Sequence, residues 1–321
     1  MDKIIDKHKK KYPNIQDQDL YKLIFQSHFG SGHAISNKFK ALSYILNELE
    51  TLQPNKIDLY EEISTSICRV NLSPYKTYGL DPYYLFEVFL KSSDIKGNKE
   101  DFIIDLNKAK IQFTSLDNVH HSDIYRQTYN PHYRIIEKQY ITQEMKDIQV
   151  MNFLTNIKGK KIIAIEGKCA AGKTTVSKMI ETLIGATIIN VDDFFLPIER
   201  KTESRMNEIG GNIDYERIYK ILSELKTDSL NSFHRFNCST QLYEEVTFIP
   251  NDIIILEGVY SYHPSFRHLI DHLIYIDIDE ITQLERLRKR SNYDRFINEW
   301  IPLENKYFDL ENIKYLADII V

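Results

Sequence analysis

Apolar positions recur at helical spacing through the first half of the chain. Leu20, Leu23, Ile24 and Phe25 follow Asp17 and Asp19, either of which can cap a helix start, and Gly30 and Gly32 end the run. Ser36 opens a second segment with Phe39, Leu42, Ile45, Leu46 and Leu49 on one face. Asp81–Pro82 gives the order of cap and first-turn proline that starts a third, and another follows Asn98. Nothing there alternates like a half-buried strand, so residues 1–145 read as an all-α domain. After about residue 158 the period changes. KKIIAIEG, ATIINVDD, NDIIILEG, HLIYIDI and the final ADIIV are short β-branched runs separated by helical patterns such as TTVSKMIETLI and DEITQLERLRKR. That alternation predicts an α/β domain over 146–321, a parallel sheet with helices on both faces.

A chain of 321 residues suits two such domains, and 42% hydrophobic with 27% charged residues is a globular composition. No run approaches the ~18 to 20 apolar residues a membrane span needs. The start, MDKIIDKHKKKYP, has no apolar stretch behind its charges, so the expectation is a cytoplasmic protein with no membrane partner. The net charge of −5 argues against a nucleic-acid binder driven by a basic field, and the Lys7–Lys11 run reads as a solvated terminus. Cys68, Cys169 and Cys238 are far apart and unpaired in spacing, which predicts reduced thiols.

The strongest chemical signal lies halfway along. Gly167-Lys168-Cys169-Ala170-Ala171-Gly172-Lys173-Thr174, followed by Thr175, fits GxxxxGK[ST] between an apolar strand and a helix. Such a P-loop curls its backbone N–H groups onto phosphate oxygens at a helix N-terminus. Lys173 is placed to bridge the outer phosphates of ATP, and the Thr174 hydroxyl to bind Mg²⁺. Asp192 and Asp193 stand where a second strand gives out, on the edge where parallel sheets bind ligands. Phosphoryl transfer to an alcohol needs a carboxylate to deprotonate the hydroxyl and another to help hold the metal; Asp192 is the candidate base. Glu257 ends another buried-looking strand and is a candidate metal ligand beside Thr174 and Asp192. Arg286, Arg288, Arg290 and Arg295 follow the next strand, where guanidinium groups can neutralise charge on the transferring phosphoryl group.

Together, GKCAAGKTT, NVDDFFLP, GGNIDYERI, FNCSTQLYEE, IIILEGVYSYHP and ERLRKR resemble the uridine kinase and phosphoribulokinase family of P-loop kinases, over about residues 158–321; WIPLENKYF also resembles a segment of uridine kinase-like members. The resemblance implies a P-loop NTPase-type fold, an ATP- and Mg²⁺-dependent phosphotransferase and a small-molecule acceptor such as a nucleoside, sugar or related diol. It further implies that Asp192 is the base, that Glu257 assists the metal, and that Arg286 and Arg290 stabilise the transferring group. Asp193, Asp214, Arg235, Asn237 and Tyr260 are the candidates for holding the acceptor, with a helix-capping role for Asp214 equally open. Here the chain departs from nucleoside kinases of the family, with Asn237 where they carry Asp and no downstream His, so uridine is not fixed as substrate. A nucleotide-binding switch whose helical domain binds a partner protein is the alternative, and a homodimer stays open.

The first domain carries its own signals. Gln26-Ser-His28-Phe-Gly-Ser-Gly-His33, Val119-His120-His121-Ser-Asp-Ile-Tyr125 and Tyr129-Asn-Pro-His132-Tyr133-Arg134 concentrate histidines and tyrosines. None has the i, i+4 histidine pair with a nearby carboxylate that would argue for a metal. Histidines at helix ends, or binding an anion or substrate, are the better readings; substrate selection and partner docking are the two roles expected of this domain.

Overall fold

The computed structural model describes residues 1–32, 38–55, 57–111, 119–227 and 229–321. His33 and the Ser36 cap lie outside the described residues, as does the Phe39 side chain. The chain forms two compact units, Met1–Asn152 and Phe153–Val321.

The N-terminal unit contains α1 (Asp2–Lys11), α2 (Asp17–Phe29), α3 (Lys38–Thr51), β1 (Tyr60–Glu62), β2 (Ile67–Asn71), α4 (Leu72–Thr77), α5 (Pro82–Lys91), α6 (Lys99–Lys108), α7 (Asp123–Tyr129) and β3 (Tyr133–Glu137); α8 (Gln143–Leu154) runs across the boundary. Asp81 and Asn98 cap α5 and α6 by accepting the Tyr83 and Glu100 N–H groups at 2.9 and 2.8 Å. The start of α2 differs from expectation: Gln16 is the cap, and Asp19 reaches back to accept its N–H at 3.0 Å.

The all-α expectation is corrected by a three-stranded antiparallel sheet in the order β1-β2-β3. Every residue of β2, Ile67-Cys68-Arg69-Val70-Asn71, is buried. Cys68 and Val70 pack with Ile45, Leu85, Val88 and Phe89 of α3 and α5. Ile67 packs with Leu20, Leu23 and Ile24 of α2 and Phe102 of α6. Helices cover both faces, so the strand has no polar side and its sequence no alternation.

The C-terminal unit is built on a five-stranded parallel sheet in the order β10-β9-β4-β8-β5, flanked by helices. Its strands are β4 (Lys161–Glu166), β5 (Thr187–Asn190), β8 (Ile253–Glu257), β9 (His272–Tyr275) and β10 (Ile319–Ile320); a separate hairpin pairs β6 (Ser232–Asn237) with β7 (Leu242–Thr247). The helices are α9 (Lys173–Ile184), α10 (Glu203–Met206), α11 (Tyr215–Lys226), α12 (Glu280–Leu287), α13 (Tyr293–Arg295), α14 (Ile301–Glu311) and α15 (Ile313–Leu316), with a π-helical stretch at Phe296–Trp300. Ala164, Leu256 and Leu273 sit side by side in register at the centre of the core. Because β4 and β8 run parallel, Glu166 and Glu257 come out at the same edge of the sheet. No described helix is long and apolar enough to cross a membrane.

Candidate active site

The loop between β4 and α9 takes the conformation its glycines permit. Gly167 has φ +146°, and a Cβ there would lie 2.3 Å from the Ile276 carbonyl oxygen. Ala170 at φ +61° and Gly172 at φ +109° complete the curl into the first turn of α9. Lys173 is buried, and its ammonium donates to the Gly167 and Lys168 carbonyls at 2.7 and 3.0 Å.

The adjacent Glu166 and two side chains distant in sequence brace this loop. Glu166, 0% exposed, accepts the Gly167 N–H at 3.0 Å, the Tyr262 N–H at 3.2 Å and the Tyr307 O–H at 3.0 Å. Burial pushes its pKa up to about 7, against the pull of Lys173 and those donors. Glu304 of α14 accepts the Cys169 N–H at 2.8 Å, and Gln283 of α12 donates to the Cys169 carbonyl at 3.1 Å. Burial raises Glu304 as well, opposed by the Cys169 N–H and Lys173.

The proposed metal and base positions meet at the mouth of this loop. Thr174 donates its hydroxyl to Glu257 Oε1 at 3.3 Å. Glu257 is pushed up by burial, pulled down by Lys173 and pushed up again by Asp192. Asp192 lies in the 3₁₀ turn Val191–Phe194 that follows β5, held close by Gly258, whose Cβ would lie 2.7 Å from that of Val191. Asp192 is exposed, yet the protein packed around it pushes its pKa up, and Lys173 and Arg290 oppose the shift. Burial raises both acids, and Lys173 is the largest influence opposing it at each. A hydroxyl and two carboxylates form an oxygen-only donor set that suits Mg²⁺, an ion that keeps waters and phosphate oxygens in its shell. No group of three or more His, Cys, Asp or Glu able to hold a metal occurs among the described residues, so an all-protein cage is not what this site offers.

Arg286 donates to the Ala170 and Ala171 carbonyls at 3.0 and 3.2 Å, which places a guanidinium over the loop. Arg290 lies 5.4 Å from the Phe296 ring centroid, within electrostatic reach of Asp192.

The expected acceptor residues divide. Asp193 is half-buried; burial raises its pKa, and Arg235 opposes the shift. Arg235 is paired on the hairpin with Glu244 at 2.7 Å. Asn237 turns inward, donating to Glu244 at 2.7 Å and accepting from the Ser239 N–H at 2.9 Å. Asp214 is the N-cap of α11 and pairs with Arg200 at 2.5 Å. Tyr260, at φ +72° and 4% exposed, packs on the Tyr307 ring at 4.9 Å.

Arg217 was not among the candidates. It donates to the Asp193 carbonyl at 3.2 Å, lies against the Phe194 and Tyr243 rings at 4.9 and 5.0 Å, and keeps a buried Nε without a hydrogen-bond partner among the described residues. Burial lowers its pKa. Glu166 and Glu304 were also missed as loop supports; the one available signal was their place beside the loop and within WIPLENKYF.

Comparison with known proteins bears on this part of the chain. The model of the "Phosphoribulokinase / Uridine kinase family" matches residues 162–295. Uridine-cytidine kinase A of Dictyostelium discoideum is 29% identical over 182 residues, covering 52% of this chain and 36% of its own length. Pantothenate kinase of Mannheimia succiniciproducens is 28% identical, covering 56% of this chain and 64% of its own, so the chain spans less than two thirds of either relative. Uridine kinase of Macrococcus caseolyticus is 27% identical over 50% of this chain and 86% of its own length. A solved structure of a possible uridine kinase from Bacillus stearothermophilus, 18% identical, covers 56% of this chain and 99% of its own with a TM-score of 0.45. By sequence, then, residues 162–295 match the phosphoribulokinase / uridine kinase family, and they lie in the C-terminal unit with its five-stranded parallel sheet.

Proposed function

We propose that the C-terminal unit is an ATP- and Mg²⁺-dependent kinase that transfers the γ-phosphoryl group to a hydroxyl of a small metabolite, of the nucleoside, sugar or related diol class. The observation that carries this reading is the convergence of Lys173, Glu257 and Asp192 beside the glycine-curled loop, with Thr174 bonded to Glu257 and the field of one lysine reaching both acids. The names of the relatives, kinases of uridine, cytidine and pantothenate, agree with an alcohol acceptor.

In this reading the N–H groups from Gly167 to Thr175 and the Lys173 ammonium bind the triphosphate, and Lys173 leaves the loop carbonyls to do so. Thr174 and Glu257, with Asp192 beside them, would hold Mg²⁺, whose charge offsets that of the phosphates. Asp192 orients the acceptor hydroxyl and takes its proton; the protein mass that raises its pKa also makes it a stronger base. Arg286 and Arg290 supply positive charge over the loop as negative charge spreads on the transferring group. Asp193, Arg235 and Arg217 form the acceptor side, Arg217 offering its unsatisfied Nε.

The test is acceptor-dependent ADP release from the full chain across a panel of nucleosides, sugars and hydroxy acids. One acceptor should raise ADP release far above the ATP-only rate and yield a phosphomonoester. ATP bound and slowly hydrolysed with no acceptor ever phosphorylated would replace this reading with the nucleotide switch.

A further inference from the structure

Three segments of the N-terminal unit meet at one ring. Tyr133 opens β3, Gln26 projects from α2, and His121 stands just before α7. The Tyr133 hydroxyl lies 2.7 Å from His121 Nε2 and 3.3 Å from Gln26 Oε1. His121 Nδ1 lies 2.9 Å from Asp19 Oδ1, and Asp19 also accepts the Ser122 N–H at 2.9 Å and hydroxyl at 2.7 Å. Burial penalises the Asp19 charge, yet the donors from His121 and Ser122 outweigh it and hold the carboxyl down at about 2. Burial brings His121 down to about 4, helped by the fields of Lys22 and Arg69, against the hydrogen bond to Asp19. The imidazole is therefore neutral: Nδ1–H donates to Asp19, and Nε2 accepts the Tyr133 proton. Tyr125 stacks on it with centroids 4.3 Å apart.

Cations crowd the ring held in this way. Arg69 Cζ lies 4.7 Å and Lys22 Nζ 5.8 Å from the Tyr133 centroid. Arg69, 2% exposed, donates to Gln26 Oε1 from Nη2 at 2.9 Å. Its ion-pair partner Glu61 is 3.7 Å away and is shared with Lys11 and His8. Lys22 is half-buried and Arg126 of α7 exposed, and neither side chain has a hydrogen bond or ion pair among the described residues. Burial first, then Arg69 and Arg126, brings Lys22 down to about 8, with Asp19 opposing. Lys22, partly buried and within the field of Arg69 and Arg126, has no ion-pair partner among the described residues, and Asp19 offsets only part of that field. We propose that Lys22, Arg69, Arg126 and the Tyr133 ring frame a binding site for a compact dianionic oxyanion, a phosphate monoester or a dicarboxylate. Two cations with no ion-pair partner among the described residues call for two negative charges, and a point-like ammonium together with planar guanidinium groups suits clustered oxygens.

The test reads Lys22 directly. The full chain is acetylated at neutral pH, and the rate at Lys22 is followed by mass spectrometry in inorganic phosphate, succinate or chloride at equal ionic strength. A bound dianion that restores even one pKa unit cuts the free amine, and hence the rate, about tenfold. Saturable protection of that size is expected, unchanged in Lys173→Met, which impairs the phosphate loop, and several-fold weaker in half-saturation in Arg126→Gln, an exposed substitution. Protection by phosphate alone supports the site and assigns it to a phosphoryl group; protection by succinate alone supports it and assigns it to a dicarboxylate. No saturable protection beyond that of chloride, or protection indifferent to Arg126→Gln, overturns the proposal.

Discussion

Replacing Glu166 with Gln tests how the loop is supported. Glu166 is fully buried, and its carboxyl, pushed up to about 7 chiefly by burial, holds a proton in the folded protein at pH values where the unfolded chain has lost it. Between the ordinary glutamate value of about 4.3 and the folded value, folding takes up a proton, so stability falls as pH rises through that window. From pH 5 to pH 8 the loss comes to about 2 to 3 kcal/mol, at roughly 1.4 kcal/mol per unit where the slope is full. Glu166→Gln does not titrate, so its stability should lack this component. The single tryptophan, Trp300, lies in the C-terminal unit, so urea unfolding followed by its fluorescence reports the relevant transition. The stability of the wild type relative to the variant should fall by that amount between the two pH values. A constant difference would mean that the Gly167, Tyr262 and Tyr307 donors, with Lys173, keep Glu166 ionised throughout, and the burial argument would fail.

Other perturbations address neighbouring links. Asp192→Asn should lower kcat by about 10² to 10⁴ while ATP still binds by calorimetry; in the wild type, activity should be lost on acidification at a pH above the ordinary aspartate range, since the folded pKa is raised. Gly167→Ala places a Cβ against the Ile276 carbonyl at a φ that L residues rarely adopt, so it should cost at least about 1 to 3 kcal/mol in urea unfolding and abolish ATP binding. Glu304→Ala leaves the buried Cys169 N–H without its acceptor and should cost about 1 to 3 kcal/mol by the same Trp300 signal, whereas Glu304→Gln retains an acceptor and should recover most of it.

The sequence by itself determined what local chemistry demands. The phosphate loop is legible because its glycines and the lysine that follows answer to a backbone path of a few residues, and Gly167 and Gly172 do take positive φ. The strands of the C-terminal sheet are legible because strands covered on both faces read as short apolar runs. The same burial hid β2, since Arg69 and Asn71 break the apolar run and helices on both faces erase any alternation. Tertiary structure alone decided which polar groups face one another. Glu304 reaches Cys169 across 135 positions, and Tyr133 meets Gln26 across 107. It also made Asn237 a hairpin brace bonded to Glu244, while the helix cap at Asp214 was one of the two roles the sequence left open. Spacing of three or four residues encodes turns and helix faces; pairings over a hundred positions arise only when packed elements bring side chains together, and there charge, burial and hydrogen bonds are assigned.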